Sequence, residues 1–450
     1  MNDKQTLIQT LTDTHQTISR LVTSLSDEEL SVAYHPGVNP PLWELGHTAY
    51  FFEFFILRAL DHAASWDPDM DDIWDSFNID HQDRWRPGII PDRENTTRYV
   101  DAIHEAIRTR IAEKPLTPKA FYLYRYAIYH QNMHIESLLW CRQTLGYKKV
   151  GYENEAPADT LSAVPQEPAP APMSTEDVTV RSGLYRIGIP NGDTHAAECF
   201  AFDNEKPGFD IELGAFSISP TLVSNEQYMA FVEDGGYKKT ELWSWGGKKW
   251  LGTAQSNAIP PSTKTALPTQ PFYWRKQGGE WLERYFSQWL PLEPDHPVKH
   301  INYWEAEAYC KWAGRRLPTE YEWEAAALGN RRGTPFKRYP WGDSMDVRRV
   351  DMDGTHFARI PVTAYPEGAS PSGCRQMLGT VWEWTSSQFL PYDGFAVDMY
   401  PYMSTLQFGY HKTTKGGSCA TSSRLIRGTY RQAYSPERND VFVGFRTCAL

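Results

Sequence analysis

Apolar residues recur every three or four positions through the first 150 residues, and that period fades afterwards. QTLIQTLTDTHQTISRLVTSL carries an apolar stripe at helical spacing, which predicts an amphipathic helix. Ser26 and Glu29, in SDEEL, stand in a capping-box pattern and predict a helix start. PPLWELGHTAYFFEFFILRAL opens on Pro40 and Pro41, as helix starts often do. It is apolar almost all round, so it predicts a buried helix. RENTTRYVDAIHEAIRTRIAE predicts a third amphipathic helix, and KAFYLYRYAIYHQNMHIESLLWCRQTLG a fourth, stopped by Gly146. Four such stretches predict a helical bundle over residues 1–152.

Residues 153–180 are rich in Pro and Ala with no apolar period, which predicts an extended linker. From about residue 181 to 450, Gly, Pro, Trp and short β-like runs dominate. Helical patches remain at SNEQYMAFVEDGG and NYWEAEAYCKWAG, so this part reads as an α+β domain with much irregular loop.

Length and composition change this picture little. A chain of 450 residues exceeds one ordinary domain. A net charge of −11 argues against a nucleic-acid surface. No apolar run has the length of a membrane span, and MNDKQTLIQT has no signal-peptide pattern. Cys141, Cys199, Cys310, Cys374, Cys419 and Cys448 are scattered without a CxxC, which argues against a disulfide framework or a cysteine zinc site. A cytoplasmic protein with reduced thiols is expected. The 17 Trp suggest a domain packed around indoles.

HQNMHIE, residues 130–136, places His130 and His134 four apart, on one helix face. Such a pair alone is more often two hydrogen-bonded histidines than a metal site. His47, however, lies in the most apolar helix, where a buried imidazole needs a partner. Bundles build metal sites from facing helices, and three imidazoles suit Zn, Fe, Ni or Cu. Glu136 could orient a ligand imidazole or simply be solvated.

In the second half, RRLPTEYEWEAAA (315–327), YPWGD (339–343), LGTVWEWTSS (378–387), KGGS (415–418) and GFR (444–446) occur in this order. Together they resemble the formylglycine-generating-enzyme-like domain, a C-type-lectin-like fold. Trp341, Trp382 and Trp384 are expected in its core. The first half resembles the DinB-like four-helix bundle. The union of the two, with FAFDNEKP (200–207) and FVEDGGYKKTELW (231–243), resembles the EgtB-like sulfoxide synthases. The resemblance implies an α+β multidomain protein in which His47, His130 and His134 hold a non-haem Fe(II). The formylglycine-generating enzyme itself fits poorly, because its two cysteine positions are Thr421 and Ile426 here and Cys419 is displaced.

EgtB-like enzymes use Fe(II) and O2 to join a thiol to carbon 2 of the imidazole of hercynine, a trimethylated histidine. The family's catalytic tyrosine corresponds to Tyr400 in DGFAVDMYPYM, with Tyr402 as the fallback. Arg84 and Arg86, in HQDRWRPG, fall where the family places donor-binding arginines. Two positions depart from the pattern. Met133 replaces a Gln before the second histidine of the pair, and Gln432, Ala433 and Tyr434 replace Asn-Trp-Asp in a substrate loop. The lost Asp removes a partner for an amino group. PGVNPPLWELGH (36–47) and HQNMHIE also resemble the SenA-like selenoneine synthases. The favoured expectation is therefore C–Se coupling of hercynine with a selenosugar, Met133, Gln432 and Tyr434 lining the substrate site. The alternative is C–S coupling with γ-glutamylcysteine or cysteine. Rivals are a DinB-type thiol transferase, which would need neither O2 nor Tyr400, and a lectin-like binding module without metal.

Overall fold

The computed structural model describes residues 3–151, 176–190, 200–253 and 268–450. The linker expected at 153–180 lies mostly outside these, as does Cys199; its last residues, 178–180, form a strand.

The chain divides into two compact units. One holds the described residues of Met1–Gln143 and Asp193–Phe200, the other those of Thr144–Gly192 and Ala201–Leu450. The first is helical. Its long helices are α1 (Asp3–Thr23), α3 (Pro41–Phe52), α6 (Arg93–Glu113) and α7 (Pro118–Leu145). Short pieces α2 (Asp27–Leu30), α4 (Ala59–Asp61) and α5 (Asp71–Trp74) join them. The Ser26–Glu29 capping box forms as expected but opens only the single turn of α2. α1, α3 and α6 pack on one another through Leu11, Ile18, Phe51, Ile103 and Ile107, all buried. In α3 every residue but Leu42 is buried. Its continuation, Glu53–Arg58, is a π-turn. Gly146 stops α7 at φ +74, a conformation glycine adopts without strain. Thr144 and Leu145, the last residues of α7, group with the second unit, where the Thr144 Oγ1 lies 3.1 Å from the Tyr273 hydroxyl.

The second unit is α+β. Its strands are β1 (Val178–Val180), β2 (Gly183–Ile187), β3 (Phe209–Leu213), β4 (Phe216–Ile218), β5 (Trp274–Gln277), β6 (Glu280–Tyr285), β7 (Gln288–Pro291), β8 (Trp382–Gln388), β9 (Lys412–Lys415), β10 (Arg431–Tyr434) and β11 (Val443–Gly444). The largest sheet has the order β10-β9-β8-β11, with β11 parallel to β8 and the other pairs antiparallel. β1 pairs with β4, β2 with β3, and β6 lies between β5 and β7. Helices α8 (Asn225–Glu233), α9 (Trp245–Thr253), α10 (Tyr303–Trp312) and α11 (Glu320–Leu328) accompany the sheets. α8, α10 and α11 each open on a capping box, which satisfies backbone N–H groups at the helix start. One core cluster joins Trp323, Ala326, Met377 and Ile426.

Trp382 and Trp384 are fully buried, as expected, while Trp341 is only half-buried and packs on the rim of that cluster. Its indole N–H donates to the Ser344 carbonyl at 3.0 Å, three residues on in the same loop, which holds the ring at the surface side of the cluster. Cys141, Cys310, Cys374, Cys419 and Cys448 are buried free thiols. No helix among the described residues is long and apolar enough to cross a membrane.

Candidate metal centre

α7 carries two of the three histidines. Thr117 caps its start, accepting from the Ala120 N–H at 3.2 Å. Polar side chains on its inner face tie it to the other helices. The Gln131 amide donates to Thr48 on α3 and the Asn132 amide to Thr14 on α1, both at 3.4 Å. This fixes the rotation of α7 and turns His130 and His134 toward α3, which carries His47.

His47, His130 and His134 meet, each offering a ring nitrogen, and these atoms lie within 4.8 Å of one another. His47 is stacked on Trp43 (4.6 Å, 10°), and His130 on Phe51 (3.8 Å, 16°). His47 Nδ1 lies 2.6 Å from the Trp74 carbonyl oxygen. A carbonyl only accepts, so Nδ1 carries the proton and Nε2 keeps its lone pair for the cluster. His134 Nδ1 is held by the Glu44 carboxylate, which leaves its Nε2 3.2 Å from His130 Nε2. Burial, then the charge of His134, pushes the His47 imidazole down to about 3. Burial, with the charges of His134 and His47, also holds His130 well below its ordinary value. Burial disfavours the charged forms of His47 and His130, and their ring nitrogens converge with that of His134. The donor set therefore fits a transition metal with three nitrogen ligands and open positions.

The carboxylate on an imidazole of the cluster is Glu44; Glu136 is buried two residues beyond His134. Burial alone would raise the Glu44 carboxyl. The charge of His134 and hydrogen bonds from His134, Asn39 and Ser137 outweigh it and bring the group to about 2. The sequence reading passed over Glu44. The signal was a carboxylate inside the most apolar helix, three residues before His47 and so on the same face. Trp74 was passed over too, because a backbone carbonyl has no signature in sequence. Its ring lies against Gly46, where a Cβ would stand 2.3 Å from the indole.

The remaining expected residues belong to both units. Met133 is half-buried between Asn132 and His134. Arg84 is buried, with hydrogen bonds to Asn39 and to the carbonyls of Ser76 and Ile79. Arg86 is exposed and pairs with Asp83 at 2.8 Å. In the second unit, Tyr400 is half-buried at the start of the 3-10 turn Pro401–Met403, and the Tyr402 side chain lies outside the described residues. Gln432 and Tyr434 are two apart on β10 and so share a face. Gln432 accepts from the Ala433 N–H at 3.2 Å, while Tyr434 is buried edge-on to Trp382 and Trp384. At the formylglycine-generating enzyme's cysteine positions, Thr421 and Ile426 are buried and supply no thiol.

Residues 10–138 match the DinB superfamily, and residues 163–449 match the sulfatase-modifying factor enzyme 1-like domain. The chain belongs to the EgtB/SenA-like family, in which these two domains are joined. It is similar along almost its whole length to the hercynine oxygenase of Mycolicibacterium thermoresistibile, at 30% identity over 448 residues, 98% of this chain and 94% of that one. The hercynine oxygenase of Mycobacterium tuberculosis is 32% identical over 433 residues, 95% of this chain and 94% of that one. Similarity to the formylglycine-generating enzyme of Thermomonospora curvata, at 29% identity, is confined to 62% of this chain, although it spans 95% of that enzyme.

Proposed function

We propose that the protein is an Fe(II)- and O2-dependent oxygenase that joins a thiol donor to carbon 2 of the hercynine imidazole. The observation that carries this reading is the three-imidazole cluster, in a chain similar end to end to hercynine oxygenases. The reaction balances as C2–H plus RS–H plus O2 giving a C2–S(=O)R sulfoxide plus H2O. Bound iron would supply the means of using O2. His47, His130 and His134 would hold it, with Glu44 and the Trp74 carbonyl fixing two ring orientations. Tyr400 is the proposed proton donor; a positioned donor contributes about 10²–10⁴-fold. Tyr400→Phe removes one hydroxyl and little volume, so a loss of that size should appear in coupling rate with the fold unchanged. Normal coupling by Tyr400→Phe and impaired coupling by Tyr402→Phe would move the role to Tyr402.

A sulfur donor is preferred to the selenosugar favoured by the motifs alone, because the full-length relatives are named hercynine oxygenases. The selenosugar remains the second reading, on the observation that Gln432, Ala433 and Tyr434 offer no carboxylate to an amino group. Iron-loaded protein, hercynine and O2 with either γ-glutamylcysteine or a selenosugar at equal concentration decide it, with products read by mass. Faster coupling of γ-glutamylcysteine is the expected result. Faster coupling of the selenosugar reverses the order of the readings, and turnover of neither sinks both.

A further inference from the structure

Arg84 is expected from the family pattern to meet the donor substrate, yet the residue is buried, 9% exposed, and its guanidinium is hydrogen-bonded within the bundle. Nη1 donates to Asn39 Oδ1 at 2.8 Å, and Nη2 to the carbonyls of Ser76 and Ile79 at 3.3 and 3.4 Å. Asn39 passes the contact on, its Nδ2 donating to Glu44 Oε1 at 2.8 Å. Glu44 Oε2 then holds His134 Nδ1. A second route runs through rings. The Arg84 Cζ lies 3.8 Å from the centroid of Trp43, and Trp43 is stacked on His47. One guanidinium thus reaches two of the three imidazoles by two different chemistries.

We propose that Arg84 is a positioning residue of the metal centre, orienting His134 through Asn39 and Glu44 and His47 through Trp43. The argument is one of donors and acceptors. A guanidinium only donates, so it draws the carboxamide oxygen of Asn39 toward itself. The amide nitrogen must then face Glu44, which as a carboxylate only accepts. Without Arg84 the amide can flip and present oxygen to oxygen, and the Glu44 carboxylate loses one of its two donors on Oε1, keeping Ser137 at 2.7 Å. The planar guanidinium also covers the Trp43 face, which a compact ammonium does not do in the same way.

This proposal rests on reading the three histidines as metal ligands, and its metal-binding readouts need no turnover of hercynine. Wild type, Arg84→Lys, Arg84→Met and Asn39→Leu are loaded with Co(II). Visible absorption reports ligand geometry, and chelator competition reports affinity. Loss of a residue that supports a metal ligand typically weakens binding about 10–100-fold. That loss, with a shifted Co(II) band, is expected for both Arg84 variants, and a smaller loss for Asn39→Leu, which leaves the ring route intact. In the iron-loaded enzyme the KM for the donor should stay within about twofold. Unaltered Co(II) affinity and spectrum, with the donor KM raised tenfold or more, would assign Arg84 to the donor and overturn the proposal. If neither Arg84 variant folds, Asn39→Leu decides alone: an unchanged Co(II) spectrum and affinity overturn it. Failure of the wild type to couple hercynine would defeat the proposed function and leave this result readable.

Discussion

In the second unit, several buried carboxylates end on cations. Glu383 meets Arg446 at 2.6 Å, Glu320 meets Arg431 at 2.8 Å, and Glu324 meets Lys415 at 2.8 Å. Glu205 is bracketed by Arg427 and Thr429. In the helical unit the arrangement is reversed. Three imidazoles turn their lone pairs toward one another, while the outer nitrogens of His47 and His134 are carefully satisfied. Closed pairs fix an architecture and leave nothing for a ligand. Converging donors of one kind are stable only with something between them. Burial of polar groups is common to both units, and only its closure tells structure from site.

The largest test of this contrast removes a converging donor. His47→Ala, His130→Ala and His134→Ala should each lose most bound iron and reduce coupling to background, while the helical circular dichroism persists. Retention of full iron by any of them would show that the cluster is not the ligand set. The closed pairs should behave oppositely. Arg446→Met leaves Glu383 buried without its cation, which typically costs about 3–5 kcal/mol. A lower denaturation midpoint with normal iron content per folded molecule is expected. A cost below about 1 kcal/mol would mean that the pair is not closed as described.

A third test sits where packing and site meet. Gly46→Ala drives a methyl into the Trp74 indole, and overpacking of this kind costs about 1–3 kcal/mol. Because the Trp74 carbonyl holds His47, iron affinity should fall as well. Stability lost with affinity intact would detach Trp74 from the site. A last effect is a slope with pH in the second unit. Burial raises the carboxyls of Glu305 and Asp351 to about 7 each, against the hydrogen bonds they accept. A folded-state value above the unfolded one contributes stability that is fully present below about 4 and is lost as pH rises through about 7. Each group adds at most ~1.4 kcal/mol per pH unit across that window. Glu305→Gln should flatten part of the slope of denaturation midpoint against pH and leave the share due to Asp351. An unchanged slope would show that Glu305 does not titrate there.

Much of this was legible in the sequence. α6 fills the third amphipathic stretch, and α7 stops at Gly146 as the pattern required. His47 could be found because an imidazole in an apolar helix demands a partner. The π-turn at Glu53–Arg58 could not, because EFFILR lies in a stretch apolar almost all round, where one turn of altered period leaves no mark on the pattern. Nor could the reach from Arg84 to His134, since Asn39 and Glu44 couple over a distance that local pattern does not encode. Arg84 reads as a donor-binding arginine from the motif, and only the folded chain shows it buried against Asn39 and Trp43. Trp341 read as core because its neighbours in YPWGD say nothing of depth.

The π-turn also bears on how this chain tolerates insertion and deletion. A π-turn accommodates one residue more than an α-turn without ending the helix. His47 lies before it, on α3, while the segment leading to the Trp74 carbonyl lies after it. Within the turn, Glu53 accepts from the Tyr99 hydroxyl at 2.6 Å, and Arg58 reaches both Glu53 and Asp71. Deleting one residue from 53–58 would close the wide turn to an α-turn, and the chain after it would keep nearly the phase it has now. What would be lost is the wide turn itself, with the reach of Glu53 to Tyr99 and of Arg58 to Asp71. One residue can therefore come or go in this stretch while His47 and the segment leading to the Trp74 carbonyl stay in register.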